Sequence, residues 1–74
     1  MTVYWTNSAT WHLQRIHDYI AADSKIYARR MIDRLTRRTE QIVNFPLLGG
    51  KVLEYDADDI REVLEGNFRI IYRV

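Results

Sequence analysis

The spacing of apolar and polar positions changes along the chain, and each change marks a new element. Thr2-Val3-Tyr4-Trp5-Thr6 is a β-branched and aromatic run, which predicts a first strand. Asn7-Ser8 interrupts it, and Ser8 is placed to cap a helix. Ala9, Leu13, Ile16 and Ile20 then recur at helical steps and form one stripe, so the spacing predicts a helix to about Ala22. Asp23-Ser24 breaks and recaps the chain. Over residues 25–44, Ala28, Met31, Ile32, Leu35, Thr39, Ile42 and Val43 fall within about 120° of a helical wheel. Two amphipathic helices across so short a break predict an antiparallel helical hairpin.

Phe45-Pro46-Leu47-Leu48-Gly49-Gly50 ends the second helix, because proline cannot continue it and the glycines permit a sharp turn. Lys51–Tyr55 is a short candidate strand, followed by an acidic loop over Asp56–Asp59. Ile60–Glu65 and Phe68–Val74 alternate around Gly66-Asn67, a two-residue hairpin signal. That loop length sets Val63 opposite Ile70 and Arg61 opposite Tyr72. Val63, Phe68, Ile70, Tyr72 and Val74 then share the face that covers the helices, and Ile60, Glu62, Leu64, Arg69, Ile71 and Arg73 share the other. The order β-α-α-β-β-β predicts an α+β fold, a helical hairpin on one face of a mostly antiparallel sheet.

Composition narrows the class. The chain has 74 residues, one small domain, and no cysteine to form a disulfide framework or a thiolate metal cage. Leu, Ile, Val and Phe make up 28% of it, too many for intrinsic disorder. No apolar run approaches the roughly 18 residues of a membrane span and no signal peptide opens the chain, which predicts a cytoplasmic protein without a membrane partner. Net charge is +1, but residues 1–50 carry +3 and residues 51–74 carry −2. Nine of the eleven cations are arginine, the side chain suited to bidentate carboxylate or phosphate contacts.

Five arginines stand within ten positions of the second helix, and Arg30, Arg34, Arg37 and Arg38 lie on the side away from its apolar stripe. Like charges at this spacing oppose the helix by roughly 0.2–0.5 kcal/mol per pair. The cluster is either a solvated face, helped by Asp33 and Glu40, or a surface that meets carboxylates or phosphates. Trp11, beside Arg15 and Asp18, stands off the core stripe of the first helix and is either a partner anchor or a single exposed aromatic. Tyr4 and Trp5 are expected to pack at core and edge. His12 and His17 are five apart and diverge, so they make no zinc pair, and Asp56, Asp58 and Asp59 lack the remainder of a calcium loop. No metal or cofactor is expected. Glycine-rich phosphate loops and the nucleophile elbow are absent. Lys51, Arg61, Glu62, Arg69, Tyr72 and Arg73 remain for chemistry, and Glu62 between Arg69 and Arg73 reads as a cross-strand charge network.

The chain resembles the ParE/RelE superfamily of bacterial type II toxins, particularly its ParE-like branch. The matching pieces are Trp5, Ala9-x3-Leu13-x2-Ile16-x2-Tyr19-Ile20, then Ala28, Ile32 and Leu35, then Phe45-Pro46-Leu47-Leu48-Gly49-Gly50. Ile60-Arg61-Glu62-Val63 and Phe68-Arg69-Ile70-Ile71-Tyr72-Arg73-Val74 complete the set. The resemblance implies a single RelE/ParE-like toxin domain over residues 1–74, C-terminally incomplete because members continue through a further strand. It implies a growth inhibitor of the plasmid-stabilising kind, held in a hetero-oligomer by a cognate antitoxin that lays a helix on the helical hairpin and adds a strand to the sheet. The antitoxin-binding residues it suggests are Trp11, Arg15, Arg30, Arg34, Arg37 and Arg38. ParE-like members poison DNA gyrase. RelE-like members instead cut messenger RNA on the ribosome, and for that activity Lys51, Arg61 and Arg69 would be the catalytic cations. A third reading is a non-toxic arginine-rich nucleic-acid-binding module.

Overall fold

A computed structural model describes residues 3–74. Helix α1 spans Asn7–Ala21 and helix α2 spans Lys25–Asn44. Three strands follow: β1 (Gly50–Lys51), β2 (Ile60–Glu65) and β3 (Phe68–Arg73), in an antiparallel sheet of order β1-β2-β3. The fold is α+β, with the helical hairpin followed by the sheet.

Each helix starts where a hydroxyl can satisfy an orphan backbone amide. The Ser24 hydroxyl accepts from the Tyr27 amide at 3.1 Å, which starts α2 where the sequence places it. For α1 the cap is Thr6, not Ser8: its hydroxyl accepts from the Ala9 amide at 3.0 Å. Thr6 has the extended backbone a cap requires (φ −67°, ψ 157°), and capping there adds Asn7 and Ser8 to the helix.

The core is small and centres on α2. Ala28, Met31, Leu35 and Ile42 are buried together with Val52 and Val63. These α2 residues come from the stripe read in the sequence, and α2 lies between α1 and the sheet. The α1 stripe of Ala9, Leu13, Ile16 and Ile20 is only half-buried, with α2 as its principal packing partner.

The hairpin register is the expected one, with Val63 opposite Ile70 and Arg61 opposite Tyr72. Gly66 takes φ 59°, the left-handed value a two-residue turn demands of its first residue. Along β3 the even-numbered residues are half-buried and the odd-numbered ones exposed, as the alternation requires.

Three expectations need correction. The predicted N-terminal strand is not formed over Val3–Thr6, and Thr2 lies outside the described residues. Val3, Tyr4, Trp5 and Thr6 instead share a hollow of about 320 Å³ with Ile70, Ile71, Tyr72 and Arg73 of β3. Propensity favours an extended chain, but a strand also needs a neighbour close enough to complete the ladder. Tyr4 and Trp5 are accordingly exposed rather than packed. The strand expected over Lys51–Tyr55 shrinks to Gly50–Lys51, because Val52 is drawn into the core and a turn follows, the Tyr55 amide donating to the Val52 carbonyl at 3.1 Å.

Candidate partner-binding surface

The arginines of α2 do not form one uniform face. Arg34 Nε donates to Glu65 Oε1 at 3.0 Å, and Arg38 Nε lies 4.0 Å from Glu65 Oε2. Arg38 also donates to Gln41 Oε1 at 2.6 Å and to the Leu64 carbonyl at 3.3 Å. Its buried Nε keeps the ionic contact but no hydrogen bond. One half-buried carboxylate at the end of β2 thus ties two turns of α2 to the hairpin. Arg30 and Arg37 are exposed, and neither takes part in an ion pair or hydrogen bond among the described residues.

On α1, Trp11 is 57% exposed and the Arg15 guanidinium lies over its ring, 4.8 Å from the centroid. The two form an amphipathic plate on the outer side of α1, as a cation over an indole face is attracted by the ring quadrupole. Asp18 is engaged elsewhere: His17 Nδ1 is 3.1 Å from Oδ1, and Gln14 donates to the same atom at 2.9 Å. The hydrogen bond from His17, then that from Gln14, holds the Asp18 carboxyl below its usual range.

The cations of the sheet are occupied by neighbours. Lys51 pairs with Asp58 at 2.8 Å, and this hydrogen bond lowers the Asp58 pKa. Arg69 reaches Glu54 at 2.9 Å and Glu62 at 3.0 Å. The Glu54 contact leads in raising the Arg69 pKa, and in return it lowers that of Glu54. Arg61 donates from Nε to the Asp58 carbonyl at 2.9 Å and from Nη1 to the Gly49 carbonyl at 3.2 Å. Because it pairs with Tyr72 while Arg69 pairs with Leu64, Arg61 and Arg69 project from opposite faces. Lys51 and Arg61 are register partners that both reach Asp58, at its carboxylate and its carbonyl respectively, but Arg69 stands on the other face, so the three do not converge. The cross-strand network read in the sequence is present in part, with Glu62 paired to Arg69 and Arg73 paired to Asp59 at 3.3 Å.

Sequence reasoning missed the turn that the sheet holds in place. The Tyr72 hydroxyl donates to the Pro46 carbonyl at 2.6 Å and accepts from the Gly49 amide at 3.0 Å. With Arg61 on the Gly49 carbonyl, both polar groups of that buried residue are satisfied by side chains. The turn so fixed presents Phe45, Leu47 and Leu48 outward. Among the described residues, no group of three histidine or acidic side chains is placed to hold a metal ion, and no helix is long and apolar enough to cross a membrane.

A family model described as the ParE toxin of type II toxin-antitoxin system, parDE, matches residues 3–74. No curated protein and no solved structure matches the chain.

Proposed function

The chain belongs to the ParE toxin family of type II toxin-antitoxin systems, and from that membership we propose that it arrests growth by acting on DNA gyrase and is neutralised by binding its cognate antitoxin. The observation that carries the choice of target is the occupancy of the sheet cations. Metal-free RNA cleavage requires cations gathered around one phosphate, with a base and an acid at hand. Here Lys51 and Arg61 share one face, Lys51 paired with Asp58 and Arg61 held by backbone carbonyls, while Arg69 stands on the other face, paired with two glutamates. The carboxylates that occupy these cations would also repel an RNA strand. This arrangement supports an action through protein contact rather than through hydrolysis on the sheet.

Antitoxin binding is assigned to the outer surface of the helical hairpin. Trp11 with Arg15 supplies an exposed aromatic and cationic plate on α1, and α2 supplies its arginine stripe. An exposed tryptophan is a common anchor of protein interfaces.

The test is a supercoiling and DNA-cleavage assay with purified gyrase and the antitoxin-free chain. Inhibited supercoiling with trapped cleaved DNA is the expected result. Unaffected gyrase, from protein shown to be folded, together with ribosome-dependent cleavage of messenger RNA, would replace this reading with the RelE-like one. Unchanged growth on induction without antitoxin would remove toxicity altogether.

A further inference from the structure

Two cations of β3 are held by carboxylates that belong to a loop rather than to the sheet. Arg69 and Arg73 stand opposite Leu64 and Ile60 in the register, so both project from the same face, the one turned away from buried Val63. At the rise of a strand they lie about 13 Å apart. Ile71 between them and Leu64 beside Arg69 are exposed on that face. The loop between β1 and β2 supplies Glu54 to Arg69 at 2.9 Å and Asp59 to Arg73 at 3.3 Å. Glu62 is a partner of Arg69 within the sheet and only 25% exposed, whereas Glu54 and Asp59 are 57% and 52% exposed. The loop keeps its shape by other means. Val52 is buried, the Tyr55 amide donates to the Val52 carbonyl, and the Val74 amide donates to the Asp59 carbonyl. The two loop carboxylates can therefore rotate into solvent without any change of backbone.

We propose that Arg69 and Arg73 form a latent site for two phosphates of a single-stranded nucleic acid, and that Glu54 and Asp59 are its built-in mask. A guanidinium binds phosphate in the same forked geometry as carboxylate, so each loop carboxylate stands where a phosphate oxygen would. Exposed pairs of this kind are individually weak and are screened by salt. They prevail over dilute phosphates because the loop holds its carboxylates close by, at a high effective concentration. A strand that delivers two phosphates together removes that advantage. Glu62 stays with Arg69 throughout and orients it. The flexible backbone of a single strand can adjust to the separation of the two arginines, and its unstacked bases meet exposed Ile71 and Leu64, with Tyr55, exposed next to Glu54 in the chain, as an aromatic platform. The site binds and does not cleave. It is independent of the gyrase reading and goes beyond it.

The experiment measures binding of a fluorescent oligothymidine to the full chain by anisotropy, after circular dichroism has shown each variant to be folded. E54Q/D59N lifts the mask. D23N/D33N makes the same change in net charge at exposed carboxylates that hold no ion pair among the described residues. The expected result is binding about tenfold tighter than the parent for E54Q/D59N, with D23N/D33N within about threefold of it. Adding R69Q/R73Q to E54Q/D59N should abolish the gain. The salt dependence of E54Q/D59N should exceed that of this fourfold variant by about 1.4 in the log–log slope, the share of two phosphates on a single strand. E54Q and D59N taken singly should each give part of the gain, which keeps the inference open to refutation if the double variant does not fold. Equal tightening in the two double variants, a gain that survives loss of both arginines, or no gain in E54Q/D59N and its single variants would overturn the inference. Tighter binding of a duplex than of the single strand would overturn the ligand assigned. None of these outcomes alters the result of the gyrase assay.

Discussion

The hydroxyl of Tyr72 lies 3.0 Å from the backbone nitrogen of Gly49, so the last strand and the turn after α2 are joined at one atom. No side chain fits at Gly49 itself. A Cβ on Gly49 would stand 2.5 Å from the Glu62 carbonyl oxygen and 2.8 Å from the Tyr72 hydroxyl. Gly49→Ala is therefore expected to cost about 2 kcal/mol or more, since backbone of β2 must shift to make room. Gly50→Ala serves as the control, because nothing lies within 4 Å of a Cβ built there. Urea denaturation of the two variants gives the comparison.

Tyr72→Phe keeps the ring and removes the hydroxyl. The Gly49 amide and the Pro46 carbonyl then lose their partner in a part-buried site. The expected loss is about 1–2 kcal/mol in the same denaturation experiment, with the denaturant slope unchanged.

Glu65→Gln removes the charge that joins Arg34 and Arg38 to the hairpin. Both arginines keep some solvent exposure, so the expected destabilisation is small, about 0.5–1 kcal/mol, and salt reduces it. Thermal melts at low and high salt check this: the parent should lose stability on adding salt and the variant should lose less.

Acid should weaken the loop between β1 and β2. Lys51 holds the Asp58 carboxyl, and Arg69 that of Glu54, below its ordinary value of 3.8 or 4.5. A carboxyl whose pKa is depressed on folding contributes stability above its unfolded pKa and loses it as pH falls through the folded value. The melting temperature is thus expected to fall below about pH 4, with a shallower fall in the E54Q/D58N double variant. Both groups are exposed, so the difference between the two curves is modest.

Trp11→Ala is expected to weaken antitoxin binding about tenfold while leaving the melting temperature of the free chain nearly unchanged. More than half of the ring is exposed and α1 contains no buried residue, so truncation removes little from the core. Calorimetry beside a thermal melt separates the two effects.

The fold was legible where local pattern and tertiary packing agree. The α2 stripe, the Ser24 cap and the Gly66-Asn67 turn each carry their own signal within a few residues, and the hairpin register follows from loop length. Val3–Thr6 was misread because propensity speaks for an extended backbone and cannot say whether β3 comes near enough to pair. The charge arrangement was legible only in part. Arg69 with Glu62 is a cross-strand neighbour and could be read from register. Arg34 with Glu65 spans thirty-one positions, and only the packing of α2 on the hairpin brings them together. The Tyr72 clamp was hidden for the same reason: a tyrosine in a strand gives no sign of a turn twenty-six residues earlier.

Helix α1 contains no buried residue, and α2 is its principal packing partner. Segments that bury few apolar side chains are the first to open in local fluctuations. A ligand seated on α1 would supply the burial that the helix lacks and favour its docked state, so occupancy at the outer helix would be felt as rigidity before it is felt as overall stability.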